Sequence, residues 1–280
     1  MEVTKAIIPV AGYGTRMLPF TKSIEKCMLP LGDKPVIDRN VDACVEAGIT
    51  DIMIVTNGDA EQVKTYYGHN RKLEKHFDEI GDYERFDAIQ PRNDVNIQFV
   101  EQDLSNGKYG TSLPVWLCRN LIDIDEQFLV INGDQYMYRE DGSSEIEDFI
   151  TAVENRDAEA GILVVKRPEN DSQQYGLIRI RQDASLINIQ EHFDIWTRTL
   201  GGDYKNTGNY ILNGRVFELL EEQVAGVPNK YGEYYITDII NRMAKTGRVT
   251  VKGALGEYLD CGSMDTWLEA NQIVRNATKT

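Results

Sequence analysis

The sequence has few of the residues that build transition-metal sites. Its 280 residues include four cysteines and three histidines. The cysteines, at positions 27, 44, 118 and 261, are too scattered for a zinc site or a redox pair. The sequence therefore predicts neither a structural transition-metal centre nor thiol redox chemistry.

Long hydrophobic runs are also absent from the sequence. No apolar stretch approaches the roughly 20 residues that a membrane-spanning helix needs. Residues 1–4 lack the basic and apolar regions of a secretion signal. We therefore expect a cytoplasmic protein with no membrane partner.

Positive charge is scarce, because 45 Asp and Glu residues outnumber 30 Lys and Arg residues and give a formal net charge of −15. A nucleic acid needs a basic surface on its partner, so we expect no nucleic-acid ligand. The N-terminal segment is locally basic and still allows an anionic small-molecule substrate. Its charged residues are Lys5, Arg16, Lys22, Lys26 and Lys34 against Glu2, Glu25 and Asp33.

Short apolar runs alternate with amphipathic stretches along the chain, which predicts an α/β fold. We expect a Rossmann-like mixed, mostly parallel sheet flanked by helices. The predicted strands are residues 6–10, 51–56, 96–100, 128–131, 161–166, 176–181 and 208–212. The predicted helices are residues 36–47, 111–120, 145–155, 216–222, 236–245 and 264–276, with a short helix and an irregular surface segment over residues 72–93.

The turn after the first predicted strand is rich in glycine and is followed by two basic residues, Arg16 and Lys26. Ligands of such sheets bind beyond the carboxyl ends of the strands, where residues 133–134 are also expected. The Walker A string is missing, and Met17 stands where a dinucleotide fingerprint needs its third glycine. Gly12 and Gly14 alone could form a plain tight turn. The two cations favour a loop that binds a nucleoside triphosphate.

The segment Gly12-Tyr-Gly-Thr-Arg16 and the run Lys26-Cys-Met-Leu-Pro30, with Thr21-Lys22 between them, resemble the signature of the sugar-1-phosphate nucleotidylyltransferases. Within that superfamily the sequence is most similar to the bacterial UTP–glucose-1-phosphate uridylyltransferases. The resemblance spans nearly the whole chain, and it includes Gly133-Asp134, Gly208-Asn-Tyr-Ile-Leu212 and Asp260-Cys-Gly262.

This resemblance implies an Mg²⁺-dependent reaction of a nucleoside triphosphate with a sugar 1-phosphate, best matched by UTP and glucose 1-phosphate. It also implies a homodimer or homotetramer. The sequence has no Pro/Gly/Ser-rich linker and no internal repeat, which predicts a single domain over residues 1–280, with a nucleotide-binding half to about residue 157 and a sugar-binding half from about residue 158. The implied residues are Arg16 and Lys26 for catalysis; Ala11, Gly12, Gly14, Thr15, Gln102 and Gly110 for the nucleotide; Gly176, Glu191 and Gly208 for the sugar; and Asp134 and Asp260 for the metal.

Two segments depart from the family pattern. Glu191-His192-Phe193 stands where the family has Glu-Lys-Pro, whose lysine contacts the sugar phosphate. Either His192 substitutes for that lysine, another cation such as Lys205 takes its place, or the acceptor sugar differs. The second departure is the run Gly107-Lys-Tyr-Gly-Thr-Ser-Leu-Pro114, which replaces Gly-Leu-Gly-His-Ala. Both affect the choice of substrate more than the type of reaction.

Three other functions stay open at the level of sequence. A thymidylyl- or cytidylyltransferase would use a related triphosphate. A non-catalytic regulatory protein that binds a nucleotide sugar would not need two metal-binding aspartates. An NAD-dependent dehydrogenase is disfavoured by Met17.

Overall fold

A nine-stranded sheet runs through the part of the chain that this computed structural model describes, namely residues 2–166, 177–191 and 204–277. The strands are β1 (Lys5–Pro9), β2 (Pro30–Leu31), β3 (Lys34–Pro35), β4 (Asp51–Asn57), β5 (Asn96–Gln102), β6 (Gln127–Val130), β7 (Gln135–Tyr138), β8 (Ala160–Lys166), β9 (Leu177–Ile180), β10 (Leu186–Gln190), β11 (Tyr204–Asn213), β12 (Val249–Gly253) and β13 (Glu257–Asp260). The helices are α1 (Val36–Glu46), α2 (Glu61–Tyr67), α3 (Arg71–Ile80), α4 (Tyr83–Ala88), α5 (Ser112–Leu117), α6 (Glu145–Glu154), α7 (Val216–Ala225), α8 (Ile236–Met243) and α9 (Met264–Ala277).

The strand order of the main sheet is β10-β9-β11-β6-β1-β4-β5, and β8 and β12 extend it from β11. Strands β6, β1, β4 and β5 pair in parallel, and so do β8 and β12. Strand β11 is antiparallel to β6, β8 and β9, and β10 is antiparallel to β9. Only β10 and β11 therefore run against the other seven strands, which confirms the predicted mixed, mostly parallel sheet.

The central strands read as unbroken apolar runs because both of their faces are buried. In β1, Ile7 packs with Met53 and Phe128 on one face of the sheet, where α5, α7 and α8 cover it. Ile8, the next residue, packs with Leu129 on the other face, under α1, α2 and α6. This double burial fixes the register of the strands and the position of the loops at their ends.

Residues 72–93 differ from the prediction of one short helix and an irregular segment, because two helices, α3 and α4, follow one another there. The Asn70 side chain accepts a hydrogen bond from the N–H of Leu73 at the start of α3, and Asp82 does the same for Arg85 at the start of α4. Gly81 ends α3 with a φ of 70°. Local capping thus starts two helices in a polar sequence, and Leu73, Phe77 and Ile80 lie on one face of α3.

The two predicted halves of the chain share one sheet, since β11 from the second half pairs with β6 at its centre. A boundary near residue 157 stays a prediction. In the described ranges no helix is both long and apolar enough to cross a membrane.

Candidate active site

The glycine-rich loop leaves the carboxyl end of β1 and folds against the segment that carries Lys26. Gly14 has a φ of 63°, and a Cβ on it would lie 2.9 Å from Thr21 Cγ2 and 3.2 Å from Lys26 Cβ. Thr21 Oγ1 donates a hydrogen bond of 2.9 Å to the carbonyl oxygen of Gly14. A side chain at Gly14 would push this contact apart, so glycine lets the two segments lie together. Arg16 follows in a single 3₁₀ turn, Thr15–Met17, which the buried Met17 anchors.

Asp134 lies just beyond the carboxyl end of β6, beside the glycine-rich loop. The neighbouring Gly133 has no room for a Cβ, which would overlap the side chain of Val10. Asp134 Oδ2 accepts a hydrogen bond of 2.5 Å from Lys26 Nζ. The lysine side chain is only 12% exposed and the aspartate side chain is 39% exposed. The ammonium group of the largely buried lysine therefore faces the same opening as the partly exposed carboxylate of Asp134.

Asp260 reaches the same place through an antiparallel ribbon of β7 and β13, in which it pairs with Gln135. The N–H of Cys261 donates to the carbonyl oxygen of Asp134 over 3.0 Å, and the N–H of Gly262 donates to Asp260 Oδ1 over 2.6 Å. The ribbon thus places the two predicted metal-binding aspartates next to each other.

Gly262 marks the point where the predicted catalytic and metal-binding residues meet. A Cβ on this glycine would lie 2.6 Å from Asp260 Oδ1 and 3.2 Å from Arg16 Nη2. The same point is 3.4 Å from Lys26 Nζ, which in turn contacts Asp134. Two cations and two carboxylates from distant parts of the chain therefore converge on one cleft.

A cavity of about 220 Å³ adjoins this cleft at the carboxyl ends of β1 and β5. Ala11, Gly12, Gln102 and Gly110 line it together, as predicted for a nucleotide pocket. Gln102 is the last residue of β5 and is 5% exposed. The other two predicted nucleotide residues, Gly14 and Thr15, line the neighbouring cleft with Arg16, Lys26 and Asp134.

Gly110 closes the cavity through a close approach between two backbone segments. Its φ is 132°, and any Cβ there would overlap the backbone of Tyr234. The N–H of Tyr234 donates to the carbonyl oxygen of Tyr109 over 2.9 Å, and the N–H of Ser112 donates to that of Tyr234 over 3.0 Å. Glycine is thus required at position 110 by this backbone contact.

Sequence reasoning assigned no role to Tyr109, Asn132 or Glu233, although all three line the cavity. Tyr109 and Asn132 also line the cleft that holds Arg16 and Lys26. Burial and the nearby Glu233 carboxylate raise the pKa of Tyr109, so its hydroxyl stays protonated and can donate a hydrogen bond. Only the position of Tyr109 in the atypical segment after Gly107 could have drawn attention to it.

The predicted sugar-binding residues are described in part. Gly208 lies at an irregularity of β11 with a φ of 78°, and a Cβ on it would overlap Asn132. The Glu191 carboxylate lies near Tyr210, a cavity residue, and helps burial to raise the pKa of that tyrosine. Glu191 and Gly208 therefore lie close to residues that line the cavity, whereas Gly176, His192 and Phe193 lie outside the described residues.

Lys205 is a buried cation on β11, three residues before Gly208, and it is only 9% exposed. Its Nζ lies 4.4 Å from the ring centre of Tyr258, whose hydroxyl donates to Gln135 Oε1 over 2.5 Å. Gln135 Nε2 in turn lies 3.4 Å from where a Cβ on Gly208 would be. A chain of contacts thus joins Lys205 to the predicted sugar subsite.

The thiols beside the cleft are not suited to nucleophilic attack. Burial raises the pKa of Cys27 and of Cys261 to about 12, so both stay protonated near neutral pH. The arrangement of charged groups favours chemistry on phosphate groups instead.

Comparisons with known proteins identify the relatives of this chain. Residues 5–277 match the family model described as "Nucleotidyl transferase". The chain is 31% identical over 266 residues to the UTP–glucose-1-phosphate uridylyltransferase of Bacillus subtilis (strain 168), covering 93% of this chain and 87% of that protein. It is 30% identical over 289 residues to UTP–glucose-1-phosphate uridylyltransferase 1 of Streptococcus pyogenes serotype M3, covering 97% and 91%.

Two solved structures have the same fold. The UTP-bound UGPase from Acinetobacter baumannii superimposes with a TM-score of 0.84 at 26% identity, covering 97% of this chain and 93% of that chain. A UDP-glucose pyrophosphorylase complexed with UDP-glucose superimposes with a TM-score of 0.80 at 25% identity, covering 98% and 99%.

Proposed function

The chain belongs to the nucleotidyl transferase family, and from that premise we propose that it joins UTP to glucose 1-phosphate, giving UDP-glucose and pyrophosphate. The observation that carries this proposal is the convergence of Arg16, Lys26, Asp134 and Asp260 on a cleft beside the cavity lined by Gln102. The relatives named as uridylyltransferases and the UTP- and UDP-glucose-bound neighbours support the choice of substrates.

The reaction needs no general base, because the attacking phosphate oxygen of glucose 1-phosphate is already an anion near neutral pH. That oxygen bonds to the α-phosphorus of UTP, and the bond from the α-phosphorus to the bridging oxygen breaks as pyrophosphate leaves. The protein must bring two polyanions together and compensate the charge of the departing group. In our proposal Arg16 and Lys26 hold the triphosphate and this departing charge.

Mg²⁺ is the cofactor that we propose for the cleft. Asp134 and Asp260 offer hard oxygen ligands, which suit a cation that takes few protein ligands and keeps several waters. Within the described ranges no three His, Cys, Asp or Glu side chains form a metal-binding group, so the remaining ligands would come from substrate and water. When bound, Mg²⁺ neutralises phosphate charge and orients the triphosphate.

The uracil base would lie in the cavity lined by Gln102 and by the backbone at Gly12 and Gly110. The buried Gln102 amide can both donate and accept, which matches the polar edge of a pyrimidine. Thymine differs from uracil by one methyl group, and packing against one methyl group discriminates by only about 1–3 kcal/mol. A comparison of UTP with dTTP therefore tests this pocket directly.

A substrate panel tests the proposed function. Purified protein is incubated with UTP, dTTP or CTP and with glucose 1-phosphate or another sugar 1-phosphate, with and without Mg²⁺, and pyrophosphate release is measured. We expect the highest kcat/KM for UTP with glucose 1-phosphate and no turnover without the metal. A preference for dTTP or CTP would make the chain a thymidylyl- or cytidylyltransferase. Binding of UDP-glucose without any turnover would make it a regulatory protein.

Lys205 is our choice for the cation that contacts the phosphate of the acceptor sugar. We expect Lys205→Met to raise the KM for glucose 1-phosphate about tenfold, the effect of losing one charged contact worth about 1.4 kcal/mol, with the KM for UTP unchanged. Methionine keeps most of the apolar stem of the side chain but carries no charge. Steady-state kinetics with either substrate varied gives both constants.

The matched control is Lys245→Met, which removes an exposed lysine from the turn after α8 and should change neither KM. An unchanged KM for glucose 1-phosphate in the Lys205→Met variant would rule Lys205 out as the phosphate contact.

A further inference from the structure

The segment just before Lys26 is bound to the first turn of α2. Ala60 precedes this helix and its methyl side chain cannot cap the free backbone N–H groups. Glu25, from a different part of the chain, accepts hydrogen bonds from two of these groups instead. Its Oε1 accepts from the N–H of Gln62 over 2.6 Å, and its Oε2 accepts from the N–H of Val63 over 3.2 Å.

The side chain of Gln62 also forms hydrogen bonds with the segment before Lys26. Its Oε1 accepts from the N–H of Glu25 over 2.8 Å, and its Nε2 donates to the carbonyl oxygen of Ser23 over 2.7 Å. Four hydrogen bonds thus hold the backbone from Ser23 to Glu25 against the helix. We call this contact between Glu25 and Gln62, with its bonds to Ser23 and Val63, the Glu25–Gln62 clamp.

The clamp ends one residue before Lys26, whose Nζ lies 2.5 Å from Asp134. On the far side of Lys26, Cys27 is 4% exposed and packs into the core with Val63 of α2. Helix α2 therefore holds the chain on both sides of the lysine. A lysine side chain has several rotatable bonds, so the direction of its ammonium group depends on how firmly its own backbone is held.

We propose that Glu25 and Gln62 are positioning residues, which act on the reaction by holding Lys26 in place against α2. The proposal rests on the role that we propose for Lys26 with the triphosphate. Gln62 is exposed and Glu25 is half-buried, so water could replace their hydrogen bonds without leaving buried polar groups unpaired. The clamp therefore contributes more to the position of the backbone before Lys26 than to the stability of the fold.

The test compares two variants, Glu25→Gln and Gln62→Leu, in the wild-type chain and in a Lys26→Met background. Glu25→Gln turns one accepting oxygen into a donor that faces an N–H group, and Gln62→Leu removes two of the four bonds at similar volume. We expect each variant to lower kcat about tenfold in the wild-type chain, with an unchanged KM for glucose 1-phosphate. In the Lys26→Met background the same changes should lower kcat by less than twofold, because they act through the missing ammonium group.

Glu61→Gln is the matched control, since it removes an exposed carboxylate from the same end of α2. It should leave kcat unchanged, which separates the clamp from a general loss of negative charge. Circular dichroism and thermal melting establish that each variant is folded.

Three results would contradict either the positioning role of the clamp or the role of Lys26. Clamp variants with wild-type kcat would overturn the proposal, and so would equal losses in the two backgrounds, because the clamp would then act independently of Lys26. Full activity of Lys26→Met alone would instead contradict the proposed role of Lys26, so the two failures can be told apart.

Discussion

The Lys26→Met variant is expected to lower kcat by about 10²–10³-fold, the effect of removing one preorganised group that stabilises transition-state charge. Lys26 Nζ lies in a cleft where its side chain is only 12% exposed, so water screens its charge little. Methionine preserves most of the unbranched apolar stem, including the Cβ that lies beside Gly14. The loss should therefore come from the charge and not from misfolding.

Pyrophosphate release under saturating UTP and glucose 1-phosphate measures this effect. Lys72→Met is the matched control, because Lys72 is an exposed lysine on α3, outside the cleft. The control should keep wild-type kcat and the same melting temperature. Near-normal turnover by Lys26→Met would remove Lys26 from the catalytic group.

Asp134→Asn should cause a loss of similar size, about 10²–10³-fold in kcat, and a higher Mg²⁺ concentration for half-maximal activity. The asparagine amide has the shape of the carboxylate but not its charge, so it is a poor ligand for Mg²⁺. The substitution also removes the negative charge at the position where Asp134 Oδ2 lies 2.5 Å from Lys26 Nζ. The weaker binding of Mg²⁺ and the altered contact with Lys26 should both reduce the stabilisation of the departing pyrophosphate.

A Mg²⁺ titration of initial rates tests this expectation. Asp125→Asn is the control, since Asp125 pairs with Arg215 over 3.1 Å at an exposed site away from the cleft. An Asp134→Asn variant with an unchanged Mg²⁺ requirement would contradict a metal-binding role for Asp134. Asp260→Asn tests the second proposed ligand in the same way.

The fold was largely predictable because its strongest signals are local. Strands β1, β4 and β6 are apolar on both faces and lie within or close to the predicted ranges. The ribbon of β7 and β13 was not predicted, since each strand has four residues and its partner lies far away in the chain. Strands this short carry too little periodicity to be read from sequence.

The residue types of the candidate site could be predicted from the sequence, but the residues that surround them could not. The glycine-rich loop and the two cations stand in one short segment, and the resemblance supplied the distant aspartates. Tyr109, Asn132 and Glu233 line the cavity, although sequence reasoning assigned no role to any of them. Their positions depend on close backbone contacts such as the one between Gly110 and Tyr234, which no local pattern encodes.

By itself, the sequence determined the alternation of strands and helices, the loop that follows β1 and the acidic character of the chain. Apolar periodicity, glycine and charge act over a few residues, so they can be read along the chain. Only the tertiary structure decided that Lys26 meets Asp134, 108 residues away, and that Glu25 holds the start of α2. Such contacts depend on how the sheet brings the ends of its strands to one edge, because distance in space is set by packing and not by position in the sequence.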